Sequence, residues 1–227
     1  MSRALIARPP IIFSPFALRL FLMGVHYQTF YRLAQFLSRT FFDFRVIHRE
    51  RIIEHGGAIL AMNHESYLDP PLAGIACHRE IHYLARKTLL DWPLLGPILP
   101  KLNVVPVDQE RADMSALKTV IKLIRAGHST VIFPEGSRTL DGDFLPALPG
   151  LGLVIAKTLA PVVPMRIFGA REAFPRGGKP RLFTPITLVV GEPMFFTKDD
   201  LTGEGRDLYQ RLSERVMQRI AAIRWED

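Results

Sequence analysis

The sequence predicts an α/β fold: a mixed, largely parallel sheet flanked by helices, with an N-terminal amphipathic, membrane-associating helical segment. Three observations point there. Short apolar runs at 59–62, Val104–Val107 and 130–133 alternate with stretches of helical apolar spacing, the pattern of strand–helix–strand units. Two of these runs stop abruptly in polar clusters, at the strand tips where open α/β sheets place their ligands. A chain of 227 residues, 48% hydrophobic and 22% charged, is globular and long enough to bury one sizeable core.

The first segment differs from the rest in charge. Residues 1–42 hold Arg3, Arg8, Arg19, Arg32 and Arg39 and no acid, so five of the net +7 charges lie there, among many Phe, Leu and Ile side chains. Basic charge mixed with large apolar groups suits a membrane surface and not nucleic acid, which calls for polar, lysine-rich faces. The uncharged run 20–31 falls short of the ~20 residues that span a bilayer, and no small-residue cleavage site follows it. Gln28, Arg32, Gln35 and Arg39 recur at helical spacing, with Phe30, Leu33, Ala34, Leu37 and Phe41 opposite. This predicts an amphipathic helix lying in the interface, preceded within 9–31 by a more deeply inserted stretch; the alternative is a helix packed on the domain. The expected organisation is a membrane-associating segment, 1–43, and an α/β domain, 44–227.

Within the domain the elements follow in order. A strand at 59–62 is entered from Gly56-Gly57, and a short helix covers 71–77. A strand at 81–85 ends in Arg86-Lys87, an irregular apolar connection covers 92–97, and Val104–Val107 leads into the charged turn 108–111. Leu117, Val120, Ile121 and Ile124 give a helix over 115–126, which Gly127 stops. After the strand at 130–133 a polar loop reaches Gly150; a helix at 151–159, strands at 161–168 and 181–190, and a closing amphipathic helix at 205–223 complete the chain. The single cysteine, Cys77, excludes an internal disulfide and a cysteine zinc cluster, and fits a reducing compartment.

The chemistry gathers at two strand ends. The run 58–62 stops in Asn63-His64, and Asp69 follows. A catalytic histidine needs an acceptor for one ring N–H, and Asp69 can supply it. Residues five apart on a helix point about 140° away from each other, so the pair meets only across a strand-to-helix turn, which Asn63 is suited to cap. A lone H-x4-D is more often a hydrogen-bonded histidine at a strand end than a catalytic one. The second stretch, Phe133-Pro134-Glu135-Gly136-Ser137-Arg138-Thr139, repeats the arrangement. Gly136 permits close backbone approach, Arg138 offers a planar fork of donors for phosphate, and Ser137 and Thr139 add hydroxyls. Glu135 is placed to orient that arginine or bind a substrate hydroxyl.

Together the two stretches resemble the blocks of the glycerolipid acyltransferase family, which includes 1-acylglycerol-3-phosphate acyltransferases. Asn63-His64 with Asp69 is similar to the H-x4-D block, and Phe133-Pro134-Glu135-Gly136-Ser137-Arg138 to the F-P-E-G-[ST]-R block. Tyr83-Leu84-Ala85-Arg86-Lys87 and Pro93-Leu94-Leu95-Gly96 resemble the segment between them. Gly150 and Ala160-Pro161-Val162-Val163-Pro164-Met165 resemble the later block, where apolar residues line an acyl-chain site. The likeness covers roughly residues 45–195. The chain departs from it in the second block: Asn103 stands where the family has glycine, and Gln109 where it has the phosphate-associated arginine, leaving Arg111 as the substitute.

The resemblance implies an acyltransferase that uses acyl-CoA or acyl carrier protein as donor and a lysophospholipid as acceptor, 1-acylglycerol-3-phosphate first. It implies His64 as general base assisted by Asp69, with Glu135, Gly136, Ser137, Arg138, Arg111 and Lys87 around the substrate. No cofactor or metal is expected beyond the thioester substrate, since no further His/Asp cluster completes a ligand set. The expected location is a membrane surface at the cytoplasmic face, peripheral or monotopic. The rivals are a remodelling acyltransferase or transacylase with another acceptor, and a non-catalytic basic membrane-binding module, which has no need of the His64/Asp69 pair. A covalent route through Ser137 lacks the G-x-S-x-G elbow.

Overall fold

The computed structural model describes residues 24–94, 96–108 and 113–226. Most of the arginine-rich arm, 1–23, and both Gln109 and Arg111 lie outside these residues.

Among the described residues seven strands form one sheet: β1 (Arg45–Ile47), β2 (Ala58–Met62), β3 (Ile81–Arg86), β4 (Val104–Val107), β5 (Ser129–Ile132), β6 (Val162–Phe168) and β7 (Thr187–Val190). Their spatial order is β1-β7-β6-β2-β5-β3-β4. Strands β6, β2, β5, β3 and β4 are mutually parallel, so their carboxyl ends share one edge; β7 runs antiparallel to β6 and pairs in parallel with β1. The mixed, largely parallel sheet is therefore observed as expected. The helices are α1 (Val25–Phe42), α2 (Asp69–Ala76), α3 (Met114–Arg125), α4 (Gly150–Thr158), the single turn α5 (Ala170–Ala173) and α6 (Gly205–Ala222).

Strand β2 lies in the middle of the sheet and all five of its residues are buried. Its pleat divides them between two cores: Leu60 and Met62 join α1 and α2 on one face, and Ile59 and Ala61 join α3, α4 and α6 on the other. Truncating a side chain at such a position, Leu60→Ala for example, costs about 2–5 kcal/mol, because the lost transfer energy is compounded by a cavity. The strand that leads into His64 is thus packed on both faces. Helix α3 starts where Asp113 accepts the amides of Ser115 and Ala116, each at 3.0 Å.

Two expectations need correction. Helix α1 does not turn the face Phe30, Leu33, Ala34, Leu37, Phe41 to one environment. Its buried stripe is Tyr27, Tyr31, Ser38 and Phe42, with Ala34 and Phe41 partly packed, while Leu33, Phe36 and Leu37 stay exposed. The tyrosines decide this, since their hydroxyls find buried partners: Tyr27 Oη lies 3.1 Å from Tyr83 Oη and accepts the Ile81 amide, and Tyr31 Oη donates to the Ile75 carbonyl. A boundary at residue 43 therefore separates segments that share one core. The second correction is the strand expected at 181–190, of which only Thr187–Val190 enters the sheet. Residues 176–183 are exposed, Phe183 has φ 64°, and its amide donates to the Phe41 carbonyl. Strand-like composition does not overcome a left-handed residue followed by Thr184-Pro185.

Candidate active site

Strands β2 and β5 are neighbours, with Ala61 opposite Ile132, so the loops that leave them start side by side. The first loop turns tightly enough to bring His64 Nδ1 to 2.7 Å from Asp69 Oδ2. The same oxygen accepts the backbone amides of Glu65 and Ser66, each at 2.7 Å. Asp69 is fully buried at the first turn of α2, where the helix dipole favours a carboxylate. The His64 ring also stacks on Phe133 of the second motif, centroids 4.0 Å apart. With one nitrogen tied to Asp69 and one face on Phe133, the ring orientation is fixed and Nε2 is the nitrogen Asp69 leaves free.

Asn63 does not cap α2 as the sequence suggested. Its amide pairs instead with β6: Oδ1 accepts the Ile167 amide at 2.8 Å and Nδ2 donates to the Ile167 carbonyl at 3.3 Å. A side chain here continues the β2–β6 pairing past the strand end, which seats the peptide immediately before His64. The turn is closed instead by Asp69, and by Ser66, whose hydroxyl accepts the Leu68 amide and donates to the Phe174 carbonyl.

The second motif supports the first. Glu135 accepts the His64 amide on Oε1 and the Leu145 amide on Oε2, both at 2.9 Å, and the Thr139 amide donates to the His64 carbonyl at 3.0 Å. Glu135 therefore braces two loops and does not orient Arg138 as the sequence suggested. Burial pushes its carboxyl above the ordinary range, and the Leu145 and His64 amides pull it partly back. Gly136 has φ 68°, and a Cβ there would collide with the Leu148 side chain, so the turn admits only glycine without displacement. Ser137 follows it, half-buried.

The Arg138 guanidinium lies over the Tyr67 ring, 3.5 Å from the centroid, and Tyr67 in turn packs on Phe174 at 5.3 Å. Its Nη1 is buried without a hydrogen-bond partner. A stacked guanidinium with an unpartnered donor is suited to donate a hydrogen bond to an anion's oxygen. Lys87 stands elsewhere: it follows β3, on the far side of β5 from His64, with Nζ 3.8 Å from Asp113 and 4.0 Å from Asp108. The structure thus brings His64, Asp69, Glu135 and Arg138 together and engages Lys87 with the cap of α3. Asn103 explains one departure in sequence: it adopts φ 59° after the turn Leu99–Leu102, a conformation that glycine favours and asparagine tolerates.

Sequence reasoning missed Glu65, Tyr67, Phe174 and Arg176. Glu65 is pushed up to about 7, first by burial and then by the Asp69 and Glu172 carboxylates, while the Asn63 amide at 2.9 Å opposes the shift. Arg176 donates to the Arg138 carbonyl at 3.3 Å. Phe174 and Arg176 arrive from the segment after β6, about a hundred residues downstream, and no linear spacing signals that.

These observations define the class as an α/β enzyme with its polar residues gathered at the carboxyl edge of the sheet. The chain belongs to the acyltransferase family, whose model, described as Acyltransferase, matches residues 43–168, more than half of its length. It is 29% identical over 181 residues to the 1-acyl-sn-glycerol-3-phosphate acyltransferase of Bacillus subtilis (strain 168), over 75% of this chain and 86% of that protein. It is 27% identical over 146 residues to the chloroplastic 1-acyl-sn-glycerol-3-phosphate acyltransferase BAT2 of Brassica napus, where the match spans 63% of this chain and 42% of that one. The crystal structure of the 1-acyl-sn-glycerophosphate acyltransferase PlsC from Thermotoga maritima superposes with a TM-score of 0.65 at 26% identity, over 93% of this chain and 89% of that one.

Proposed function

We propose that this acyltransferase moves a fatty acyl chain from acyl-CoA or acyl carrier protein to the free hydroxyl of 1-acylglycerol-3-phosphate, forming phosphatidate. The observation that carries the reading is the 2.7 Å contact between His64 Nδ1 and Asp69 Oδ2 beside an Arg138 with an unpartnered, buried Nη1. The names of the relatives support the choice of acceptor.

Asp69 accepts Nδ1–H, which leaves the Nε2 lone pair to take the proton of the acceptor hydroxyl. The oxygen attacks the thioester carbonyl carbon to form a tetrahedral oxyanion. Collapse breaks the carbon–sulfur bond, and the departing thiolate takes the proton back from the imidazolium. Asp69 stabilises that transient cation. Arg138 holds the acceptor's phosphate, and Arg111 contributes a second cation. The acceptor reaches the site from a membrane surface, which fits the exposed Leu33, Phe36 and Leu37 on α1 beside Arg32 and Arg39. Among the described residues no helix is long and apolar enough to cross a membrane. The reading is attachment to the membrane surface at the cytoplasmic face.

A product assay across lysolipid acceptors, with acyl-CoA and with acyl carrier protein as donors, tests this. Phosphatidate from 1-acylglycerol-3-phosphate is expected to dominate with at least one donor. Preference for another lysolipid would instead establish a remodelling enzyme, and transfer without added thioester a transacylase.

A further inference from the structure

We propose that residues 176–183 form a second membrane-contacting element, which together with the exposed face of α1 seats the active-site edge on an anionic bilayer. The proposal rests on the reading that the acceptor is a membrane lipid.

The segment is Arg176-Gly177-Gly178-Lys179-Pro180-Arg181-Leu182-Phe183, and every residue in it is exposed. Leu182 is 50% and Phe183 74% accessible, although apolar groups of this size gain by burial. Phe183 is moreover held at φ 64°, unfavourable for a bulky side chain, by the bond from its amide to the Phe41 carbonyl. A strained backbone that displays an aromatic ring to water calls for something to cover the ring.

The charges indicate what covers it. Arg176, Lys179 and Arg181 are joined by no acid anywhere between Glu172 and Glu192. Basic residues interleaved with exposed Leu and Phe match the interface of an anionic membrane, where the rings enter the acyl boundary and the cations meet head groups. An acidic protein partner would satisfy the cations but has no evident use for Leu182 and Phe183.

Position completes the argument. The segment follows β6, whose carboxyl end lies at the same edge as His64, and Arg176 bonds the Arg138 carbonyl. On its other side Phe183 meets Phe41 of α1, with ring centroids 6.3 Å apart. Continuity with the exposed apolar face of α1 gives one surface that flanks the site. Docked there, the edge opens toward the leaflet that supplies the acceptor.

The test uses the full chain. Cys77 is buried, so Phe183→Cys introduces one exposed thiol for an environment-sensitive fluorophore. His55→Cys, an exposed position ahead of β2 at the opposite edge, serves as control. With vesicles of phosphatidylcholine and phosphatidylglycerol, the probe at 183 is expected to shift to the blue and to be quenched by spin-labelled lipid, and the probe at 55 to do neither. Adding Lys179→Ala and Arg181→Ala should raise the lipid concentration for half-maximal response about fivefold per charge, roughly 25-fold for both. A probe at 183 that stays water-exposed while the protein binds the vesicles overturns the proposal. Phosphatidate formation with a short-chain, soluble acceptor, measured on the same labelled protein, separates the two readings. Transfer without insertion sinks only the surface, and insertion without transfer to any lysolipid sinks only the activity.

Discussion

The Glu135 carboxylate accepts the backbone amide of His64 at 2.9 Å, so one motif fixes the main chain of the other across 71 residues of sequence. The position of the His64 backbone then depends on a side chain from the second motif. Its second oxygen holds Leu145, which ties the polar loop ahead of α4 into the same brace.

Glu135→Ala should lower stability by about 1–3 kcal/mol, because two amides lose their partner, and should lower kcat with it. Thermal melts and kinetics check this together. An unchanged Tm with only the acceptor KM raised would mean that Glu135 binds substrate instead of bracing the loops.

Glu65 gives a pH dependence of defined sign. Its carboxyl lies near 7 in the folded protein against about 4.5 unfolded, so folding takes up a proton between those values. The stability tied to its neutral form is present below about 4.5 and is lost as pH rises through 7. Glu65→Gln keeps the acceptor for Asn63 and removes the titration. The variant should therefore gain Tm relative to wild type as pH goes from 5 to 8, whereas parallel Tm–pH curves would contradict the assignment.

The sheet was legible because its strands carry short runs of apolar and β-branched residues, fully buried in β2 and β5 and partly exposed at the edge in β4: all three fall within one residue of the expected bounds. His64, Asp69 and Arg138 were legible because each lies in a short segment at a strand tip. What sequence could not give was partnership at a distance. Tyr27 looked like part of a membrane helix until Tyr83 and Ile81 supplied its buried partners, and Asn63 looked like a cap until Ile167 of β6 met it. The exposed Leu182 and Phe183 read as strand because composition does not record the left-handed backbone between Leu182 and Thr184.

The packing of α1 makes a prediction about truncation. Deleting 1–42 removes Tyr27, Tyr31 and Phe42 from the core that α2 and β3 share, so the remainder should lose cooperative unfolding or aggregate. The point variant Tyr27→Phe should stay folded and lose about 1 kcal/mol in denaturant titration. A cooperative, wild-type midpoint for 43–227 would show that α1 is an appendage.

Arg138 should govern the acceptor and not the donor. Lysine keeps the charge but forfeits both the fork and the stack on Tyr67, so Arg138→Lys should raise acceptor KM and Arg138→Ala should raise it further, with donor KM little changed. A comparable acceptor defect in Arg111→Ala would assign that arginine the place Gln109 does not fill. A defect confined to the donor would reverse the assignment of the pocket.

The most direct measurement is steady-state acyl transfer by His64→Ala, with circular dichroism and Tm recorded on the same preparation. Loss of the general base should reduce kcat by about 10²–10⁴-fold while the fold is retained. Asp69→Asn should also lose most activity, since the tautomer that presents Nε2 as base is no longer favoured. Turnover at the wild-type rate by folded His64→Ala would contradict the mechanism.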